Sequence, residues 1–186
     1  MYFNNFPLTK FNNVDLLDIT RKVELEKIVK SEALAYMNYI VEEGEKPEDV
    51  AFYYYDDPAY AWLVLLSNNI IDPYTHWPKD QESFSEYMKV QYASQAGTTG
   101  EGVIEWTKNA TIGANILHYQ SSIDPNIRLN RASYLNSSDN ERAEFFPVRI
   151  YDYEFDQNEQ RRQIVLVNKA LLPLVKAQME PLLNAD

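Results

Sequence analysis

The sequence predicts an α+β fold in which a small module of two strands and two helices is interrupted by a long insertion. A strand is favoured from Ala35 to Glu42, because the run "AYMNYIVE" is rich in aromatic and β-branched residues, and Gly44 follows it as a breaker. Pro47 and Pro58 each occupy a place where a first helical position is expected, so two short helices should come next. A closing strand is predicted much later, from the β-rich run "RRQIVLV".

Length, charge and cysteine content limit what the chain can be. Its 186 residues, 45% of them hydrophobic, suit one ordinary domain or a small domain with a large insertion. The formal net charge of -11, from 28 acidic and 17 basic residues, disfavours attraction to phosphate backbones and to anionic lipid. Cysteine is absent, which excludes a disulfide framework and cysteine-ligated zinc. Because of the negative net charge, we expect no nucleic-acid partner.

The beginning of the chain predicts a helical arm without a targeting segment. The first residues, "MYFNNFPLTKFNN", have neither a basic leader with an apolar core nor a small-residue cleavage site, so we expect no secretion signal. No apolar run approaches the roughly 20 residues that a membrane-spanning helix requires, so we expect no membrane partner. From Val14 to Glu32, apolar residues recur at mixed helical intervals among charged ones, which predicts an N-terminal helical arm over residues 1–34.

The first module helix has clear signals at both ends. Glu48 and Asp49 follow Pro47 in the first turn, where negative charge interacts favourably with the helix dipole. Its apolar positions Val50, Ala51 and Tyr54 have the spacing of one buried face. We expect the helix to stop at Asp56.

The second module helix repeats the same kind of start. Asp57 can accept hydrogen bonds from the backbone amides of the next turn, and Pro58 fits the first helical position. The helix should run to about Ser67, because Asn68 and Asn69 follow and asparagine tolerates left-handed geometry. The two helices are predicted to pack as a hairpin.

Beyond the hairpin, the sequence predicts a loop and a third helix. Two prolines between Asp72 and Pro78 indicate a fixed, largely non-helical loop. Asp80 should then cap a helix that ends near Gly97. The apolar face of this helix consists of Phe84, Tyr87, Met88 and Tyr92.

The middle of the chain, from Gly97 to Asn136, is enriched in turn-forming residues. Short strands are predicted there at Val103 to Trp106 and at Ile112 to Tyr119. Two β-rich runs then follow, "FPVRIYDYEF" and "RRQIVLV", and their junction "DQNEQ" is compatible with either a hairpin or a helical turn.

The last part of the chain predicts a C-terminal helix. Asn168 is its expected cap. Its apolar stripe consists of Leu171, Val175, Gln178, Met179 and Leu182. The predicted organisation after the arm is therefore a module at 35–78 and 148–168, a helix plus loop-rich insertion at 79–147, and the C-terminal helix at 169–186.

The segment from Tyr39 to Trp77 resembles a known family. Its order of strand, turn, two proline-opened helices and asparagine-marked exit, with a later strand, is similar to a LysM module, a small βααβ unit. The stretch more closely resembles the signature of baseplate wedge proteins of contractile-tailed bacteriophages, in which a LysM-like module is embedded in a longer chain. The matching positions are Tyr39, Gly44, Pro47, Glu48, Ala51, Tyr55, Asp57, Pro58, Trp62, Asn68, Asp72, Pro73 and Trp77. The later "NEQRRQIVLV" resembles that family's closing strand, and the likeness covers about residues 1–96 and 150–183.

This resemblance implies a structural function. Members of the family join or clamp neighbouring wedge subunits around the central hub of the baseplate, without catalysis and without a cofactor. The implied partners are other baseplate wedge and hub-proximal tail proteins, with several copies per ring. The implied location is the virion, at the tail baseplate, after assembly in the host cytoplasm.

The residues also allow two other functions. A LysM-type module that binds peptidoglycan or chitin is the alternative, and its groove would form from loops near 43–46 and 68–74. An acid-base hydrolase would need a carboxylate pair, and Asp56 with Asp57 is the candidate. Because Pro58 follows, helix capping is the simpler account of Asp57.

Candidate contact residues lie in the loops and at the start of the closing strand. We expect a subunit interface at Asn69, Tyr74, His76, Trp77, Arg161 and Arg162. Arginine pairs well with carboxylates across interfaces. Trp62 should lie in the core because it falls on an apolar helix face, whereas a core role and an interface role are equally open for Trp77.

No metal site is predicted. His76 and His118 are the two histidines, and neither lies three or four residues from another ligand on a helix. Oxygen-bearing side chains alternate from Asp152 to Asn158 as in a calcium loop, but Gln157 stands where the turn glycine is needed. Solvated carboxylates account better for this pattern.

Overall fold

The computed structural model describes residues 8–11, 14–17 and 35–177. The chain divides into two compact units, one containing the chain up to Pro78 and from Arg161 onward, and the other containing Lys79–Gln160. Helices and strands occur together, which confirms the predicted α+β class. Residues 148–160, which the sequence placed in the module, belong to the second unit.

The described secondary structure follows in chain order. The strands are β1 (Leu8–Phe11), β2 (Val14–Leu17), β3 (Tyr36–Ile40), β4 (Ile116–Ser121), β5 (Arg128–Leu129), β6 (Phe145–Arg149) and β7 (Gln163–Val167). The α-helices are α1 (Pro47–Tyr55), α2 (Ala61–Ser67), α3 (Pro73–His76), α4 (Gln81–Ala96), α5 (Glu101–Lys108), α6 (Arg131–Asn136), α7 (Asp139–Arg142), α8 (Ile150–Arg161) and α9 (172–177). Short 3₁₀ helices lie at Pro58–Tyr60, Gly113–Asn115 and Lys169–Leu171.

The N-terminal part contains a β-hairpin where the sequence predicted the start of a helix. β1 and β2 pair antiparallel, with Phe11 opposite Val14. The helix predicted to begin at Val14 is therefore wrong over β2. The overlooked signal is the Asn-Asn pair in the sequence between the two strands, since asparagine is favoured in two-residue hairpin connections. The remainder of that predicted helix, residues 18–32, lies outside the described residues.

The module strands and helices form where they were predicted. β3 and β7 pair antiparallel, with Tyr36 opposite Val167, and α1 and α2 lie between them in the chain. α1 begins at Pro47 and ends at Tyr55, and Asp56 follows as the C-cap with φ 63°. A 3₁₀ turn at Pro58–Tyr60 leads into α2.

The core of the first unit is built from both strands and both helices. Its buried residues are Ala35, Val41, Val50, Ala51, Tyr55, Leu63, Val64, Trp77, Ile164, Leu166, Val167 and Val175. The Tyr55 hydroxyl donates to Val167 O at 2.9 Å inside this core. This bond satisfies the polar tip of a buried aromatic ring and fastens α1 to β7.

The second unit has its own core and a three-stranded antiparallel sheet. The strand order is β5-β4-β6. Phe84 and Met88 on α4 pack with Ile150 at the start of α8. Glu154 on α8 accepts hydrogen bonds from Tyr92 at 2.6 Å and from Tyr87 at 3.3 Å. α4 itself begins after Asp80 and ends at Gly97, as predicted.

Several predicted strands and loops are helical instead. α5 occupies the predicted strand at Val103 to Trp106, because Val103 and Thr107, one turn apart, form its buried face. The second predicted strand is shorter at its start, since β4 begins at Ile116. The predicted loop-rich insertion is accordingly well supplied with helices, α6 and α7 among them.

The open junction after β6 resolves to a helix. α8 spans most of the predicted β-rich run and all of "DQNEQ". Tyr151 and Phe155 alternate with polar residues as in a strand, but they are also one helical turn apart, and their rings stack at 6.2 Å between centroids. Helical and strand periods coincide here, so the pattern alone could not decide.

The C-terminal helix begins as predicted. Asn168 accepts from Ala170 N at 3.0 Å and starts a 3₁₀ turn that continues into α9. Val175 from the predicted stripe is buried in the core. The stripe positions Gln178, Met179 and Leu182 lie outside the described residues.

Candidate functional site

The turn between β3 and α1 is fixed by Glu45. Its carboxylate accepts from the Tyr39 hydroxyl at 2.7 Å and from Glu42 N at 2.9 Å. Gly44 sits within this turn at φ 75°, a left-handed conformation that favours glycine. Burial first, and then the Glu45 carboxylate, raise the pKa of Tyr39 well above its usual range. The hydroxyl therefore stays protonated as a donor at neutral pH.

The same turn holds Trp77. Its indole Nε1 donates to Glu45 O at 2.8 Å, and the side chain is 8% exposed. Of the two roles left open for Trp77, the core role matches its burial. Trp62 is half-buried and packs against the same core.

Two Asp-Pro pairs fix the segment starts on either side of α2. Asp57 accepts from Ala59 N at 2.8 Å. Asp72 accepts from Tyr74 N at 3.0 Å and from the Thr75 hydroxyl at 2.7 Å. The bond from Thr75 is the main cause that lowers the pKa of Asp72. The predicted non-helical loop thus contains one helical turn, α3, because Asp72 supplies an N-cap and proline fits the next position.

Asn68 connects the end of α2 to β7. Its Nδ2 donates to Val64 O and to Val165 O, each at 2.8 Å. Its Oδ1 accepts from Val165 N at 2.8 Å. The amide thus imitates a neighbouring strand along the edge of β7. Asn69 follows at φ 55° and is exposed, so the left-handed position is Asn69 rather than Asn68.

The exposed segment 69–76, named here the presenting segment, carries apolar side chains toward solvent. Ile71 is 82% exposed and Tyr74 is 90% exposed. Its backbone is nevertheless held, because Arg161 Nη1 donates to Thr75 O at 3.0 Å and His76 Nδ1 lies 3.1 Å from Asp72 O. The presenting segment therefore combines exposed apolar area with a fixed backbone.

An open pocket of about 250 Å³ lies beside the presenting segment. Its lining residues are Asn68, Asn69, Ile70, His76, Arg161, Gln163 and Ile164. Asn69, His76 and Arg161 were predicted as contact residues, and the structure brings these three together. Their amide, imidazole and guanidinium groups are suited to polar or acidic groups of a partner.

Arg162, unlike Arg161, does not line the pocket. It forms an ion pair with Glu43, and its Nη1 lies 3.4 Å from Val41 O. Its side chain is 12% exposed. Arg162 therefore connects β7 to the end of β3 within the module, and the interface role predicted for it stays a prediction.

The polar patterns outside the module also have structural partners. Asn158, part of the calcium-like pattern, lies on α8, where its Oδ1 accepts from Lys79 N at 2.8 Å and its Nδ2 donates to Lys79 O at 2.9 Å. Burial lowers the pKa of His118, which faces Tyr153 edge-on.

Within residues 8–11, 14–17 and 35–177, no three His, Cys, Asp or Glu side chains cluster as metal ligands. None of the helices described combines the length and apolarity needed to span a bilayer.

Sequence reasoning missed the roles that three residues play in this site. Glu45 and the bridging amide of Asn68 act through partners far along the chain, so no local pattern reveals them. Ile71 could have been found, since it belongs to a pair of isoleucines in a short loop between the asparagine pair and the Asp-Pro start.

The first unit is thus a small α+β module that exposes Ile71 and Tyr74 on a hydrogen-bonded loop. Comparison with known proteins assigns the chain to a family. The family model described as "Base plate wedge protein 53", a phage family, matches residues 8–179, and the chain belongs to this family. The chain is 23% identical over 132 residues to the baseplate wedge protein gp53 of Enterobacteria phage T4. That match covers 71% of this chain and 65% of the length of the T4 protein.

Proposed function

We propose that the protein is a structural subunit of a contractile-tail baseplate wedge, which joins or clamps neighbouring wedge subunits around the hub. The observation that carries this proposal is the family match over residues 8–179. The similar T4 protein is likewise named a baseplate wedge protein. The role requires no catalysis. Its partners are other wedge and hub-proximal tail proteins, with several copies per ring, and it is assembled in the host cytoplasm into the virion baseplate.

We also propose that the first unit is a LysM-like module with an insertion. The antiparallel pairing of β3 with β7 and the two helices between them support this topology. In this proposal residues 35–78 and the returning strand β7 form the module, and residues 79–160 are inserted. The division of the chain after Pro78 supports the first boundary of the insertion.

The presenting segment is the contact site that we assign to this function. Ile71 and Tyr74 expose nearly all of their side chains on a held backbone. Burying an isoleucine side chain at an interface contributes about 2 kcal/mol. That corresponds to roughly a 30-fold change in dissociation constant. Little conformational entropy is lost on binding, because the backbone is already fixed.

An affinity experiment tests the function and the contact site together. Tagged protein is recovered from cells producing the parent phage, and retained proteins are identified by mass spectrometry. We expect tail proteins with the wild type and a loss of about tenfold or more with Ile71→Ser plus Tyr74→Ser. Tyr53→Ser is the matched control, since Tyr53 is 71% exposed on α1. Absence of tail proteins from the wild-type sample would refute the structural role, and equal retention by the double variant would refute the contact site.

Binding of peptidoglycan or chitin is the second candidate, and the pocket beside the presenting segment favours it. Its polar lining by Asn69, His76 and Arg161 could accept hydroxyl or amide groups of a glycan. Insoluble peptidoglycan serves as the bait in a parallel pull-down. Retention that is lost in Asn69→Ala and Tyr74→Ala would support glycan binding. The absence of any retention would exclude this candidate.

A further inference from the structure

The pairing of β3 with β7 fixes which backbone groups of β3 are occupied. In an antiparallel pair, residues that exchange backbone hydrogen bonds alternate with residues whose N–H and C=O point away from the partner strand. Val41 N donates to Arg162 O at 2.9 Å, and Asn168 N donates to Ala35 O at 2.7 Å. The odd-numbered residues from 35 to 41 therefore direct their backbone groups toward β7.

Asn68 confirms this alternation from the other side of the pair. Val165, which lies opposite Asn38, gives its N–H and its C=O to the Asn68 side chain rather than to β3. The outer edge of β7 is thus closed by a side-chain amide. Asn38 belongs to the same non-bonded pair, so its own N–H and C=O point to the opposite edge.

That opposite edge, named here the β3 edge, is formed by the backbones of Tyr36, Asn38 and Ile40. Across the described ranges the sheet holds β3 and β7 and no further strand. Ile40 is 71% exposed at this edge. The backbone amides and carbonyls of the β3 edge are therefore available to pair with another extended chain.

Among the residues that the structure describes, none gives the β3 edge the usual protection of an exposed strand. Natural sheets defend their edges with lysine, proline, inward charges or bulges. The strand sequence "YMNYI" contains none of these residues, and the register with β7 is continuous. An undefended apolar edge invites addition of a strand, which is a common mode of recognition between proteins.

We propose that the β3 edge receives an extended segment of another baseplate subunit, which adds as a third strand beside β3. This inference rests on the proposed function. The segment would carry apolar side chains at alternate positions to cover Ile40. It would also carry a basic residue at the end beside Glu42, which is exposed and lies two residues beyond the end of β3. The formal charge of -11 favours such a basic partner over a second copy of this chain.

Hydrogen exchange of individual amides gives a direct test. In the free full-length protein, the amides of Tyr36, Asn38 and Ile40 should exchange quickly, while those of Met37 and Tyr39 exchange slowly. In isolated baseplates that contain the protein, we expect the three outward amides to slow by about tenfold or more, since each gains a backbone hydrogen bond. The amides of Met37 and Tyr39 are the internal control.

The outcomes of this experiment are distinguishable. Wild-type protein that is incorporated with unchanged outward amides would overturn the β3 edge and leave the structural role intact. Failure of the wild type to enter baseplates would overturn both. Protection that appears in the free protein on raising its concentration would assign the edge to a second copy and overturn the proposed partner.

Substitutions at the edge provide a second test, read out as incorporation into baseplates of a phage whose own copy of the gene is inactivated. Asn38→Pro removes one outward N–H, and proline is accepted at edge positions whose N–H faces solvent. Asn38→Ala keeps that N–H and is the matched control. We expect Asn38→Pro to lower incorporation about tenfold and Asn38→Ala to leave it unchanged. Equal incorporation of both variants would contradict the proposal.

A second variant, with a charged side chain at the β3 edge, tests the proposal if the proline variant does not fold. Ile40→Lys places a charge where an apolar neighbour is expected, without removing a backbone group. Phe52→Lys is its control, because Phe52 is 55% exposed on α1 and is not part of β3. Reduced incorporation of Ile40→Lys alone supports the proposal, and equal incorporation of the two variants opposes it.

Discussion

The side-chain amide of Asn68 is predicted to be a major source of stability for the first unit. Asn68→Ala removes its bonds to Val64 O, Val165 O and Val165 N, each 2.8 Å long. A typical intramolecular hydrogen bond contributes about 1 kcal/mol net, and solvent can reach the half-buried groups left behind. We therefore expect a loss of about 2 to 3 kcal/mol in the free energy of unfolding. This is a large fraction of the roughly 5 to 15 kcal/mol of an ordinary domain.

Urea denaturation followed by tryptophan fluorescence measures this loss. Trp62 and Trp77 belong to the first unit, and Trp106 belongs to the second. A Trp106→Phe background therefore makes the fluorescence report on the first unit. The expected loss lowers the urea midpoint by about 1 M, given a slope of roughly 1 to 3 kcal/mol per molar for small proteins.

The neighbouring asparagine supplies the control for this experiment. Asn69 has φ 55°, which glycine adopts without strain, so Asn69→Gly should change the stability by less than about 0.5 kcal/mol. If Asn68→Ala lowers the midpoint no more than Asn69→Gly does, the amide does not close the edge of β7 as argued. Asn68→Asp should also destabilise, because a carboxylate would then face the carbonyl oxygens of Val64 and Val165.

Two further predictions concern buried and exposed hydrogen bonds of the first unit. Tyr55→Phe removes the donor to Val167 O inside the core and should cost about 1 to 2 kcal/mol in urea denaturation, whereas an unchanged midpoint would contradict the bond. Asp72→Asn should flatten the acid side of the stability profile measured by thermal unfolding between neutral and strongly acidic pH. The bond from Thr75 lowers the pKa of Asp72 below its ordinary value of 3.8, so the stabilisation is present above the unfolded-state pKa and is lost as pH falls through the folded one. Identical acid slopes in the variant and the wild type would contradict this.

Local signals explain why the helical hairpin was predictable from the sequence. The helix-starting effects of Pro47, Asp57 and Pro58 reach no further than one helical turn along the chain. Their residue types alone therefore mark the starts of helices. Asn168 marks the last helical start in the same way. The family resemblance drew on this same stretch of local signals, and the match over residues 8–179 confirms it.

The parts of the structure that the sequence did not predict depend on contacts between residues far apart in the chain, or on residue spacings that fit both a helix and a strand. Trp77 reaches Glu45 across 32 positions and Asn68 reaches Val165 across 97, which no pattern in one sequence specifies. In α8 the spacing of the aromatic residues fits both a strand and a helix, so the periodicity of the sequence could not decide between them. The candidate site was therefore only partly predictable. Exposed Tyr74 was found, whereas the supports that hold its backbone were not.

The side chain of Asn158 lowers the entropic cost of closing the long chain loop that contains the insertion. The contact between Asn68 and Val165 closes a loop of 97 positions, and closing so long a loop costs about 2 kcal/mol more than closing one of about ten residues. The second unit reduces this cost because its two ends are joined, with both backbone groups of Lys79 bonded to the Asn158 side chain. A folded insertion thus returns the chain beside its point of departure, and only residues 69–78 and the few residues between Asn158 and β7 remain to be ordered. Asn158 is 4% exposed, so this clasp is shielded from competing water. The module can therefore carry its insertion and still pair β7 with β3, which leaves β3 with one closed side and one side open to a partner.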